Sequence, residues 1–208
     1  MNKFVQRSRR RLTRGVYCNE TVTGDFRCGL ALETTIKNCK FMGCRMDGIN
    51  FSGSRFLNCT FDSCTMNGAI LNASTFTNCD FLSCELDLAR FDAAILMNCK
   101  ILHGRAEYSS FLEASITDSC FDTQLHGADL RYADATGLDL GESNLWGASI
   151  TASCAWFSGN RLSPRQAELF LGLVGKACPE KREEIESVIA PKSAELLLAL
   201  MGDANGTQ

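Results

Sequence analysis

Residues 38–57, NCKFMGCRMDGINFSGSRFL, are followed by NCTFDSCTMNGAILNASTFT (58–77) and NCDFLSCELDLARFDAAILM (78–97), and NCKI (98–101) opens a fourth copy. The three segments align end to end with a period of twenty. A shorter period runs inside it. Starting at Phe41 and stepping by five gives Met46, Phe51, Phe56, Phe61, Met66, Leu71, Phe76, Phe81, Leu86, Phe91, Leu96, Ile101, Ala106, Phe111, Ile116 and Phe121. Ile36, Ala31 and Phe26 extend the series backwards, so ten of the 13 phenylalanines share one phase. Two residues before each lies a small side chain in most cases: Cys39, Cys44, Ser54, Cys59, Cys64, Ala69, Ser74, Cys79, Cys84, Ala89, Ala94 and Cys99.

Five is neither the 3.6 of a helix nor the 2.0 of a strand. The chain must turn a corner every five residues and point one large and one small side chain inward on each side. Four such sides make one coil of twenty. Residues twenty apart then stack at the strand spacing of roughly 4.8 Å. The expected columns are Phe41–Phe61–Phe81–Ile101–Phe121, Met46–Met66–Leu86–Ala106, Phe51–Leu71–Phe91–Phe111 and Ile36–Phe56–Phe76–Leu96–Ile116. Such an interior is a packed core, not a channel. After Phe121 the series resumes at Leu125, Leu130, Ala135, Leu140, Leu145 and Ile150. The step of four at residues 121–124 predicts a bulge or a four-residue loop at one corner.

The chain has 208 residues, 12 Cys, 17 Gly and 3 Pro, with a net charge of −3. Its 45% hydrophobic content excludes a disordered chain, and no apolar run nears the roughly 20 residues of a membrane span. The basic residues 1–14 are not followed by an apolar stretch, so no secretory signal is expected, and the cysteines read as reduced thiols in a cytoplasmic protein. Seven cysteines fall into the columns Cys39–Cys59–Cys79–Cys99 and Cys44–Cys64–Cys84. Spacings of five, fifteen and twenty are not zinc-ligand spacings, and stacked parallel side chains have poor torsions for a disulfide. They read as small buried hydrophobes, with no bridge and no metal.

The charge divides into three parts. Residues 1–20 carry Lys3, Arg7, Arg9, Arg10, Arg11 and Arg14 against Glu20; residues 21–155 are net −7; residues 156–208 are net −1. All three prolines, Pro164, Pro179 and Pro191, lie in the last segment. The expected organisation is a basic N-terminal arm (1–20), a β-helix (21–158) and a C-terminal helical segment (159–208). Ser163-Pro164-Arg165-Gln166 has the form of a helix start. That helix carries Leu169, Phe170, Leu173 and Val174, and a later one carries Leu196, Leu197, Leu200 and Met201. These residues are expected to cap the open end of the coil and to form a homodimer contact.

No phosphate-binding glycine loop, metal cluster or nucleophile–base constellation is present in the sequence, and His103 and His126 read as solvent-facing corners. No catalytic residue, cofactor or membrane contact is expected. What remains is surface. Glu107, Glu113, Asp118, Asp122, Asp129, Asp134, Asp139 and Glu142 share their stretch with Arg131 alone among basic residues. They serve solubility and the repeat's own preference for Asp, or they imitate a phosphate backbone and compete for basic DNA-binding grooves without binding DNA directly. The arginine-rich N-terminus reads as a solvated arm, a nucleic-acid contact or part of a secretion signal, and composition does not separate these.

ADLRY, ADATG and SNLWG within residues 128–147 resemble the A(D/N)LXX repeat of the pentapeptide-repeat family, and the double period extends the resemblance over about residues 21–155. The resemblance implies an all-β solenoid, a right-handed quadrilateral β-helix of almost seven coils. It also implies likeness to a bacterial group that protects DNA gyrase, a type II topoisomerase, from poisons, here through carboxylates such as Asp129, Asp134 and Asp139. A protein-interaction scaffold or secreted effector is the alternative within the same family.

Overall fold

The computed structural model describes residues 3–6 and 15–150. They form short strands: β1 (Lys3–Gln6), β2 (Val16–Cys18), β3 (Glu20–Thr23), β4 (Thr35–Lys37), β5 (Lys40–Met42), β6 (Arg55–Leu57), β7 (Thr60–Asp62) and β8 (Thr75–Thr77). After these come β9 (Asp80–Leu82), β10 (Ile95–Met97), β11 (Lys100–Arg105), β12 (Ser115–Thr117), β13 (Cys120–Gln124), β14 (Asp129–Leu130) and β15 (Ser149–Ile150). All pairings are parallel, and no helix occurs among the described residues. The fold is an all-β parallel solenoid of about 7 turns.

Four ladders run along it. The first side is the seven-stranded sheet β1-β3-β5-β7-β9-β11-β13, and the fourth is the six-stranded sheet from β2 to β12. Between them, single bridges join Asp25, Arg45, Thr65, Glu85, Arg105, Gln124 and Asn144 on the second side. A matching series joins Leu30, Asn50, Ile70, Arg90, Ser110 and Asp129 on the third. Three-residue strands suffice because each backbone group bonds to the coil above or below, as Met46 N–H does to Thr65 C=O (2.6 Å). Corners close through left-handed residues, which the repeat fills mostly with glycine, asparagine or a small side chain, although Leu88, His103, Tyr108 and Tyr132 also stand there.

The expected columns are present. Phe41–Phe61, Phe56–Phe76 and Phe91–Phe111 stack with ring centroids 4.7, 4.6 and 4.8 Å apart and planes within 8°. All ten in-phase phenylalanines are buried. The seven column cysteines are buried and free. Cys44, Cys59, Cys64, Cys84 and Cys99 donate to carbonyls of the preceding coil, as Cys84 does to Phe61 (3.3 Å), whereas Cys39 and Cys79 donate to Lys37 and Thr77 of their own coil. Burial pushes the Cys39 thiol above its ordinary range. Cys59 is held higher still, first by its neighbour Cys79 and then by burial.

The bulge expected at residues 121–124 is present as a shift of register, with no loop, and the structure departs from expectation in three further places. β13 stays extended, Phe121, Thr123 and Leu125 all point inward, and the register falls from twenty to nineteen between Arg105 and Gln124. The corner straightens because alternate residues of an extended strand face the same way. A second four-residue step, Val22 to Phe26, occurs on the same side of the first coil: Val22 pairs with Phe41, at nineteen, whereas Asp25 pairs with Arg45, at twenty. The solenoid also begins before residue 21. β1 and β2 lie in the stretch assigned to a basic arm, β3 starts at its last residue, Glu20, and Tyr17 continues the fourth-side column below Ile36. Finally, Ile49 fills a small-residue slot above Gly29; a Cβ at Gly29 would meet Ile49 Cγ1 only at ordinary contact, 3.5 Å, but would strike the Phe26 carbonyl oxygen at 2.7 Å.

The Cys44–Cys64–Cys84 column ends at Gly104. A side chain there would run into the Cys84 carbonyl oxygen, so only glycine fits over the coil below just after the left-handed His103. The expected helical segment, with Leu169, Phe170, Leu173, Val174, Leu196, Leu197, Leu200 and Met201, lies outside the described residues.

Candidate functional site

Outward positions on each side are the residues flanking the large inward one, and the four sides differ in charge. The eight carboxylates read from the sequence do not form one stripe. Asp122, Asp139 and Glu142 lie together on the first side and its following corner, where Asp122 Oδ1 accepts the Glu142 N–H (3.3 Å) and Asp139 accepts the Gly141 N–H (3.0 Å). Glu107 is on the second side, its amide bonded to Asp87 (2.9 Å) and its carboxylate 3.7 Å from Arg105 Nε. Asp129 is on the third side, Asp134 on the fourth, and Glu113 and Asp118 occupy left-handed corners at φ 57° and 50°.

Several of these carboxylates are already engaged. Asp129 is gripped by the Arg131 guanidinium through Nε (2.9 Å) and Nη2 (2.8 Å), and that hydrogen bonding, ahead of the opposing effect of burial, lowers its pKa. Asp134 accepts from Thr136 N–H (3.2 Å) and Oγ1 (2.7 Å), which stabilises its corner without neutralising it. His103 Nδ1 stands 4.0 Å from Asp122.

Three features escaped the sequence reading. Asp62 and Asp80 join Asp122, Asp139 and Glu142 on the first side, so that side has these five carboxylates and Glu20 against Lys3, Lys40 and Lys100. The fourth side sets Lys37 and Arg55 against Asp134, with Asp118 on its following corner, and it exposes Leu57, Ile95 and Met97. Column arithmetic applied to outward positions would have found both. The third feature is an amide ladder. Asn38, Asn58, Asn78 and Asn98 each donate Nδ2 to Oδ1 of the asparagine one coil below, beginning at Asn19, over 3.1, 3.1, 3.1 and 2.8 Å. Every one has φ between 51° and 57°, a conformation asparagine tolerates better than most residues. The ladder stops where Asp118 takes the position, since a carboxylate has no proton to donate. Its signal was the NC that opens each twenty-residue copy.

Among the described residues, no group of three or more His, Cys, Asp or Glu side chains is placed to hold a metal ion. No helix among them is long and apolar enough to cross a membrane.

The geometry defines a class of protein, the parallel β-solenoid with five-residue sides. A family model of nine pentapeptide repeats matches residues 36–80 and one of eight matches residues 122–147, so these two stretches carry the repeats of the pentapeptide-repeat family. Among solved structures, trypsin-treated QnrB1, a plasmid-mediated fluoroquinolone resistance protein, is 18% identical over 78% of this chain and 99% of its own, with a TM-score of 0.39. HetL from the cyanobacterium Nostoc sp., involved in heterocyst differentiation regulation, is 18% identical over 78% of this chain and 75% of its own (TM-score 0.34). Rfr23 from the cyanobacterium Cyanothece is 19% identical over 57% and 64% (TM-score 0.35). No curated protein sequence matches the chain.

Proposed function

We propose that this protein is a non-catalytic, cytoplasmic DNA mimic that binds DNA gyrase or another type II topoisomerase and protects it from poisons. The observation that carries this reading is the acidic C-terminal half of the rod, where eight carboxylates from Glu107 to Glu142 face one basic residue, Arg131. Solenoid packing fixes those charges at multiples of the rung spacing, so they need no ordering on binding. On this reading the first side, with Asp62, Asp80, Asp122, Asp139 and Glu142, is the principal contact for a basic groove. Residues 159–208 supply a helical cap and a two-fold contact through Leu169, Phe170, Leu173, Val174, Leu196, Leu197, Leu200 and Met201. Residues 1–20 remain outside the acidic surface.

The test is a supercoiling assay with purified DNA gyrase. The protein should inhibit supercoiling at high concentration or restore it in the presence of a fluoroquinolone or another poison; no effect in either direction ends the reading. A second reading, an interaction scaffold or secreted effector, is favoured by the neutral fourth side with exposed Leu57, Ile95 and Met97. Fusion of residues 1–30 to a translocation reporter separates the two, since only an effector should be delivered.

A further inference from the structure

The corner between the second and third sides is a column of left-handed residues: Gly48, Gly68, Leu88, Tyr108, Gly127 and Gly147, with φ from 55° to 72°. Glycine adopts that conformation freely, whereas a bulky side chain there is strained. Leu88 and Tyr108 carry that strain and still leave their side chains in water, 62% and 56% exposed. Trp146, beside Gly147, is 64% exposed. Tyr108 is nonetheless held. Its hydroxyl lies 3.0 Å from His126 Nε2, the rings meet edge to face at 5.2 Å and 85°, and the phenol lies across Gly127, where any Cβ would strike the ring. Leu88, Tyr108, His126 and Trp146 thus occupy four successive coils, a ridge roughly 14 Å long at the strand spacing.

We propose that this ridge is an anchor for a partner protein, and that its occupant is a surface rich in lysine and arginine. The inference rests on the functional reading above and adds to it the contact that resists salt. Charge selects the occupant. Glu85, Asp87 and Glu107 flank the ridge on the second side against Arg105, and Asp92 and Asp129, paired with Arg90 and Arg131, lie beyond it on the third, so the surround stays net acidic. Indole and phenol faces attract ammonium and guanidinium groups, and the same carboxylates repel nucleic-acid phosphates. Exposed, pre-positioned Trp and Tyr are the residues that dominate binding energy once desolvated. The division of labour is then kinetic: carboxylates steer the encounter, and the ridge sets how long the complex lasts.

The experiment uses the full chain and DNA gyrase immobilised as the probe. The variant L88G/Y108G/W146A returns two corners to the column's own glycine, so melting temperature and far-UV circular dichroism should match the original. Dissociation should quicken about ten-fold, with the association rate and its salt dependence retained. Trp146→Ala alone should give part of the same effect and serves if the triple variant misfolds. Binding by the original chain with unchanged dissociation of both variants overturns the anchor and leaves the functional reading standing. No binding by the original chain overturns the functional reading, and the anchor falls with it.

Discussion

Phe61 lies face to face with Phe81, ring centroids 4.7 Å apart and planes 4° from parallel. Phe41 stacks on its other face at the same distance. Phe61 is fully buried, so deleting its ring leaves a gap bounded by two rigid neighbours that cannot collapse into it. Phe61→Ala should cost about 3–5 kcal/mol in urea or thermal unfolding. Asp134→Ala, on the outer surface, should barely change stability. Equal losses for both would contradict the assignment of inside and outside.

The cysteines separate by access. Cys39, Cys44, Cys59, Cys64, Cys79, Cys84 and Cys99 are buried, while Cys18 and Cys28 are exposed. A buried thiol is out of reach of a reagent whatever its proton does. Brief alkylation of the native protein followed by peptide mass spectrometry should therefore label Cys18 and Cys28 and spare the seven column residues, which should react after denaturation. Labelling of Cys59 or Cys64 at the rate of Cys28 would refute the packed columns.

The inward half of the structure was legible because it obeys one rule: a five-residue step puts Phe56 under Phe76 whatever the outer residues are. The exceptions are local. Ile49 stands where its neighbours in the series have a small side chain, and Val22 replaces Thr21 in register because the first coil is one residue short, facts visible only once neighbouring coils are superposed. The outer surface was harder to read along the chain. Asp129, Asp134 and Asp139 look like a series but face three directions, whereas Asp62 and Asp122 are distant in sequence and share a side. Tyr108 and His126 meet only because the coil between them is nineteen residues long.

That shortened coil leaves one polar atom stranded. Thr123 is buried at the four-residue step; its amide donates to Ser143 Oγ (3.0 Å), but its hydroxyl oxygen has no hydrogen-bond partner. A buried hydroxyl left unpaired costs about 1–3 kcal/mol, and valine has nearly the same shape. Thr123→Val should raise stability by about 1 kcal/mol, measured by the urea midpoint at constant m-value. A loss of stability would mean that the hydroxyl is satisfied in solution.

Asp25 and Arg27 flank Phe26 on the outside of the first coil and form a fork-like pair, with Nε and Nη2 of Arg27 at 3.0 and 2.7 Å from the two carboxylate oxygens. The Arg27 side chain first, and its backbone N–H second, hold the Asp25 carboxyl down at about 2, below its ordinary value of 3.8. A depressed carboxylate contributes stability above its unfolded pKa and loses it as pH falls through the folded one. The window for this pair is therefore roughly pH 4 down to pH 2. Both groups are exposed and screened by water, so the loss should be small and the site is better followed directly. In a carbon-detected NMR titration, the Asp25 carboxyl should titrate near 2 in the original chain. In Arg27→Gln it should move up toward the ordinary range, while Asp129, held by Arg131, stays depressed. An Asp25 midpoint that ignores the Arg27 substitution would show that the fork is not what sets it.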